Sequence, residues 1–399
     1  MGLLWVKQVK DSQRKNNICI TGLGVVSAFG NTLESFREGI YRNKSEADKI
    51  TDVHILKNIE IPVIKSRFEQ SENRLLAMST EAILSAIKDR GKELAGDKSR
   101  CCLIVGSGMG LADQYYHNKD FKGYNFLASD LSRNTGLHCD AVYIGNSCAA
   151  GSQAISYGMD LIRLGKYDIV VAGGVDILSQ AAYAGFLRLN AIDLQCCRPF
   201  DKKRKGISIG EGAVFFVIEK ENKESGEPNK HDGRIYCTLL GSGVTCDAFH
   251  TVQMDPEGRG AIKAMEQAVL SSGIGKEEVG LIIAHGTGTE QNDRIESYII
   301  NEYFGEYAKD IYITAPKGAI GHTGGASGAF GVLTAICAIT EKEGIIPPIC
   351  NLTEPAPECD INVVMNCGII SAFSLDTVMV NAFAFGGTNV VIICGKRVV

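Results

Sequence analysis

No C-x-x-C spacing occurs among the 14 cysteines of this 399-residue chain, although two adjacent pairs do, Cys101-Cys102 and Cys196-Cys197. The paired ligand spacing of a structural zinc site is therefore missing, and no H-E-x-x-H supplies a catalytic one. No apolar run reaches the roughly 18 residues of a membrane span. The polar stretch from Met1 to Asn17 lacks the apolar segment of a signal peptide, which predicts a soluble protein of the reducing cytoplasm. Basic residues do not outnumber acidic ones: 41 against 46 leaves a net charge of -5, with no electrostatic footprint for nucleic acid or an anionic membrane. Low-complexity segments and long charge blocks are also absent. Gly22-Leu-Gly24 lacks the third glycine of a dinucleotide loop, and Gly106-Ser-Gly-Met-Gly110 has its last glycine one position early, so a Rossmann cofactor is excluded.

What is present is a globular composition, 45% apolar and 22% charged, with length for two to three domains or one large duplicated one. Glycine is abundant, 45 residues, which predicts many tight turns and close backbone approaches. β-Branched runs ending in glycine or charge recur at Ile18–Gly24, Cys102–Gly108, Asp168–Gly174 and Ala213–Glu219 and read as buried strands. Helical periodicity lies between them, over Arg74–Lys88 and Ser147–Leu164, the latter followed by Gly165 as a C-terminal cap. The expected fold class is α/β. Ile235–Gly243, Gly280–Gly288 and Val378–Gly387 echo the first-half segments, which implies an internal duplication. The polar, proline- and glycine-bearing stretch 221–233 reads as the linker between halves spanning 18–220 and 234–395.

Three turns carry candidate chemistry. In Ile144-Gly-Asn-Ser-Cys148-Ala-Ala-Gly, a strand ends in small residues and leads into a helix. Cys148 is expected near that helix's amino end, where free N–H groups and the helix dipole favour the nucleophilic thiolate. An inert buried cysteine is the commoner role for this residue type, so context must decide. Two histidines sit in glycine-rich turns after apolar runs, Ala284-His285-Gly-Thr-Gly-Thr289 and Gly318-Ala-Ile-Gly-His322-Thr-Gly-Gly325. Glycines on both sides let a substrate approach the ring. A thiolate with two nitrogen donors is a nucleophilic-catalysis set. Lys317 lies five residues before His322, and Asp293 or Glu296, after His285, is a candidate partner for it if buried.

Together these blocks resemble the β-ketoacyl-[acyl-carrier-protein] synthases, the elongating type I/II condensing enzymes of the thiolase superfamily, with KAS II as the nearest type. The similarity runs from about Ile18 to Cys394. It is carried by Asn146-Ser-Cys148-Ala-Ala-Gly, Ala172-Gly-Gly174, Arg198-Pro-Phe-Asp201, Gly210-Glu-Gly212, His285-Gly-Thr-Gly-Thr289, Lys317 with Gly321-His322, and Asn381 through Phe385-Gly-Gly-Thr-Asn389.

The resemblance implies a thiolase fold, in which duplicated βαβαβ halves form an αβαβα layered sandwich. It implies that Cys148 accepts an acyl chain, with its own N–H and that of Phe385 as the oxyanion hole. His285 and His322 would then polarise the carbonyl of a malonyl thioester so that CO₂ is lost and the resulting enolate attacks acyl-Cys148. By the same resemblance Lys317 orders the site through Glu296, Thr287 and Thr289 hydrogen-bond the pantetheine arm, Phe385 gates the nucleophile and Met109 lines the acyl channel. The chain itself would bind no cofactor or metal, since 4′-phosphopantetheine arrives on the acyl carrier protein. The expected assembly is a homodimer, or a heterodimer with a related subunit, pairing strands near Ile144–Ser147. Departures from the family pattern are Ala384 for Gly, Glu290 for Pro, Pro316 for Thr, Ile207 for Phe and Gly324 for Leu. They favour a specialised polyketide or polyene pathway over housekeeping fatty-acid synthesis. A non-condensing acyltransferase and a subunit of a heterodimer stay open.

Overall fold

The computed structural model describes residues 17–397 apart from 46, 51–59, 70, 72, 92–93, 95–99, 111, 113–124, 222–233, 342–343, 366–367 and 370–374. The amino-terminal stretch up to residue 16 and all of the expected linker except Glu221 lie outside the described residues.

Ten strands form the central sheet. The first five are β1 (Ile18–Val26), β2 (Cys101–Gly106), β3 (Asp140–Ile144), β4 (Ile169–Asp176) and β5 (Gly212–Lys220). The second five are β6 (Cys237–Cys246), β7 (Leu281–Ile283), β8 (Tyr312–Thr314), β9 (Thr377–Ala384) and β10 (Thr388–Gly395). Their spatial order is β8-β7-β9-β10-β6-β1-β5-β4-β2-β3. Outward from the seam the first set runs 1-5-4-2-3 and the second runs 6-10-9-7-8, the same path twice.

Strand directions repeat as well. β5 is antiparallel to β1 and β4, while β2 is parallel to β3 and β4. β10 is antiparallel to β6 and β9, while β7 is parallel to β8 and β9. At the seam β1 meets β6 over Cys19–Thr238 and Ile20–Cys237. The echoes read in the sequence thus correspond to strands in equivalent places, β4 with β9 and β2 with β7.

Alternation along the strands dictates the layers. Leu103, Val105 and Val171 face outward onto α1 (Arg74–Arg90) and α2 (Asn125–Asn134), while Ile104, Val170 and Ala172 face inward. In the second set Ile282, Met379 and Val391 face α4 (Arg259–Ser272) and α5 (Glu290–Phe304), and Ile283, Val380 and Ile392 face inward. Between the two sets lie α3 (Ala150–Arg163) and α6 (Ser327–Ile339). This is the five-layered αβαβα sandwich. Each fully buried aliphatic side chain of its core stabilises by about 1.5–3 kcal/mol relative to exposure. Helix α6 is buried along its whole length and is apolar on every side, as a helix between two sheets must be.

The expected helix Ser147–Leu164 differs at its start. Ser147 holds a left-handed φ of 46° and residues Ser147–Ala149 form a 3₁₀ turn, so α-helix begins only at Ala150. Gly165 has a φ of 63°, the left-handed conformation expected of it.

Candidate active site

Equivalent loops of the two halves face each other across the middle layer. Cys148 lies in the turn between β3 and α3, and His322 in the segment between β8 and α6, the corresponding place in the second half. The approach is close because glycines line it. A Cβ on Gly174, near the end of β4, would fall 2.6 Å from the Gly325 carbonyl oxygen and 3.1 Å from Gly151 Cα. The last turn before α6 and the first turn of α3 therefore meet backbone to backbone.

The third turn, after β7, is held by two carboxylates one helical turn apart on α5. Glu296 accepts the N–H groups of His285 and Gly286 at 2.8 Å each, and Asp293 accepts those of Thr287 at 3.0 Å and Gly288 at 3.2 Å. Four successive backbone donors are thus satisfied from one helix face. Thr289 N-caps that helix by accepting from the Asn292 N–H. Asn381, from β9, donates to Glu296 at 3.2 Å.

Lys317 is buried and donates to the His285 carbonyl at 2.5 Å, with its ammonium 3.3 Å from His285 Nδ1. No Lys317–Glu296 ion pair forms among the described residues. The two charges instead grip opposite ends of the His285 main chain, Glu296 at the N–H and Lys317 at the C=O.

Both imidazoles are neutral. Burial holds His285 well below 6.5, aided by the positive charge of Lys317, and burial with the same charge lowers His322 to about 3. The Gly324 N–H donates to His322 Nδ1 at 3.1 Å, so the ring proton sits on Nε2. The ammonium beside His285 Nδ1 imposes the same tautomer there. The two rings stand edge to face with centroids 6.0 Å apart. Phe186 packs 5.8 Å from the His322 ring and 5.9 Å from Phe385.

Cys148 departs from the sequence expectation of a resting thiolate. Burial pushes its thiol up to about 12, with Lys317 pulling down and Asp176 pushing further up. Exclusion of water outweighs the amino-terminal position, and the resting form is the neutral thiol.

One cavity of about 820 Å³ is lined at once by Cys148, His285, His322, Thr287, Thr289 and Phe385. Thr287 and Thr289 share a hydrogen bond of 2.8 Å between their hydroxyls. Lys317 and Glu296 stand behind this wall. Met109 is not among the lining residues, and its backbone N–H is bound to Asp176 at 3.1 Å. Of the departures, Ile207, Glu290 and Ala384 face the cavity, while Pro316 caps the short helix Lys317–Ile320. No cluster of three or more His, Cys, Asp or Glu able to hold a metal ion occurs among the described residues, nor is any of their helices long and apolar enough to cross a membrane. Sequence reasoning misses Phe186 and Asp176. Phe186 belongs to an ordinary small-residue helix, and Asp176 carries no local signal beyond closing a strand.

A neutral thiol beside two fixed imidazole N–H donors in one cavity can take an acyl group and stabilise an oxyanion next to it. Comparison with known proteins agrees in kind. The family described as "Beta-ketoacyl synthase, N-terminal domain" matches residues 15–224, and "Beta-ketoacyl synthase, C-terminal domain" matches residues 236–353. The chain is 30% identical to 3-oxoacyl-[acyl-carrier-protein] synthase 2 of Synechocystis sp., covering 94% of this chain and 97% of that one. It is 29% identical to nodulation protein E of Rhizobium meliloti, covering 94% and 98%. Among solved structures, the ishigamide ketosynthase/chain length factor superposes with a TM-score of 0.83 at 28% identity, covering 96% of this chain and all of that one.

Proposed function

This chain belongs to the beta-ketoacyl synthase family, a group of acyl-transferring condensing enzymes, and from that premise we propose that Cys148, His285 and His322 carry out a decarboxylative Claisen condensation on carrier-protein thioesters. In the first half-reaction Cys148 Sγ bonds to the acyl carbon, the carbon–sulfur bond to the pantetheine arm breaks, and the thiol proton passes to the departing sulfur. The Cys148 and Phe385 N–H groups receive the oxygen that becomes negative on the way.

In the second half-reaction the Nε2–H groups of His285 and His322 donate to the thioester oxygen of malonyl carrier protein as CO₂ departs. Charge appears on that oxygen mainly in the transition state, where two neutral donors help most. The enolate carbon bonds to the acyl carbon, the bond to Cys148 Sγ breaks, a 3-ketoacyl thioester two carbons longer leaves, and the released sulfur takes up one proton from solvent to return to the thiol. Lys317 and Glu296 position His285, and Thr287 and Thr289 hydrogen-bond the pantetheine arm. Met109 is assigned to the acyl channel by the family resemblance alone. The division of the chain follows the repeated strand path, residues 18–220 and 234–395 joined by 221–233.

The observation carrying this reading is the cavity that Cys148, His285 and His322 line together. Glu290 and Ile207 line it too, which supports a specialised acyl substrate. The partner reading is an acyl carrier protein and a second subunit of the same fold, as the name of the ishigamide ketosynthase/chain length factor suggests.

Radiolabelled malonyl carrier protein with an acyl donor provides the test. The wild type is expected to release CO₂ and form ketoacyl product, and Cys148→Ala to lose product by ~10³-fold or more. Equal product from both removes Cys148 as the nucleophile; acyl exchange without CO₂ release points to a plain acyltransferase. Native mass of the chain alone and with a co-expressed related subunit separates homodimer from heterodimer.

A further inference from the structure

The carboxylate of Asp176, at the end of β4, is fully enclosed and takes no part in the steps above. Five groups donate to it. From the loop after β2 come the Ser107 hydroxyl at 2.6 Å and the N–H groups of Gly108 at 2.8 Å, Met109 at 3.1 Å and Gly110 at 3.3 Å. From the second half, 149 residues away in sequence, comes the Gly325 N–H at 2.5 Å. Burial pushes the carboxyl up, against the pull of these donors. Four of the five partners are backbone N–H groups that can only donate, so the surroundings favour the anion against the cost of burial.

Gly325 is the residue after Gly324, whose N–H fixes the His322 tautomer. The same turn lies against the first turn of α3, directly behind Cys148. The groups that act electrostatically on the Cys148 thiol are Asp176 and Lys317.

We propose that Asp176 is a positioning residue that ties the turn orienting His322 to the loop beside the Cys148 helix. Its buried charge is a lesser influence on the Cys148 thiol, adding to the burial that already keeps the sulfur protonated. The inference rests on the condensing reading for its effect on turnover, though not for its effect on the cysteine. The isosteric amide cannot replace the carboxylate: it accepts at one end only, and its NH₂ would face either the Gly108 and Gly325 N–H groups or the Met109 and Gly110 N–H groups.

Two readouts on Asp176→Asn move in opposite directions. Release of CO₂ from malonyl carrier protein is expected to fall about tenfold or more, with KM for the carrier little changed. Alkylation of Cys148 by iodoacetamide, followed by intact mass with Cys148→Ala as the blank, is expected to speed up at neutral pH, its pH midpoint moving down because a neighbouring negative charge is gone. General loosening of the fold would not shift that midpoint relative to a variant disturbed elsewhere, for which Arg90→Lys on the far face serves. An unchanged or raised midpoint overturns the electrostatic half, and unchanged CO₂ release overturns the positioning half. Should Asp176→Asn not fold, Ser107→Ala removes one donor only and is expected to slow CO₂ release less severely; full wild-type turnover in it overturns the proposal. The alkylation arm reads out even if the protein forms no carbon–carbon bond, so the two failures are distinguishable.

Discussion

The Lys317 ammonium lies 3.3 Å from His285 Nδ1 and donates to the carbonyl of the same residue, so one buried cation sets both the ring and the main chain of one histidine. Two consequences are separable. The cation dictates which ring nitrogen carries hydrogen, and it opposes a second positive charge on that ring.

Replacing Lys317 by Met removes the charge while keeping bulk. Burial is the larger cause of the depressed His285 value and Lys317 the next, so His285 in Lys317→Met is expected to protonate at higher pH than in the wild type. The acid limb of the pH–rate profile for CO₂ release should move upward accordingly. A limb that stays put shows that the cation does not act on this ring.

His322 makes stability depend on pH in a calculable direction. Its value falls from 6.5 to about 3 on folding, so below pH 6.5 the unfolded chain binds a proton that the folded chain refuses. The folded state therefore loses about 1.4 kcal/mol per pH unit through this residue as pH drops from that point toward the folded value. His322→Gln should flatten the dependence of stability on pH between 6 and 4 by about that slope, measured by urea unfolding; parallel curves for the two proteins refute the assignment.

Glu296→Gln turns an NH₂ group toward backbone donors, at least one of which then finds no acceptor. A loss of about 1–3 kcal/mol in unfolding free energy is expected, with slower CO₂ release because the His285 turn loses its anchor. Denaturant melts beside activity assays check both, and wild-type stability in Glu296→Gln is the result that would count against the turn geometry.

Gly174→Ala tests the backbone contact between the halves. The added Cβ meets the Gly325 carbonyl and cannot be relieved by turning a side chain, so overpacking of about 1–3 kcal/mol is expected. Turnover should fall although no cavity residue is changed. Wild-type melting and turnover together would show the two turns to be less tightly apposed.

Much of the fold is legible in the sequence because its signals are local. The strand at Ile18–Val26, the helix Arg74–Arg90 and the left-handed cap at Gly165 follow from patterns spanning a few residues. The candidate cysteine and histidines stand out because glycine and small residues flank them. Asp176 cannot be found that way, since its donors are 66 to 149 residues distant. The protonation state of Cys148 escapes sequence reasoning for a related reason: position at a helix start is local, whereas exclusion of water is a property of the assembled halves. Charge alone likewise suggests a pair between Lys317 and Glu296, when each in fact holds a different atom of His285.

Helix α6 has no wet side. Extra bulk anywhere along it has no outlet into solvent and must push one five-stranded set away from the other. Cys148 rides on the first set and both imidazoles on the second, so such a push is felt as a wider gap between the sulfur and the two rings. Alignment of the proposed site thus depends on thirteen buried residues that do not line its cavity, and a screen for inactive yet folded variants should draw from that buried rod as readily as from the cavity wall.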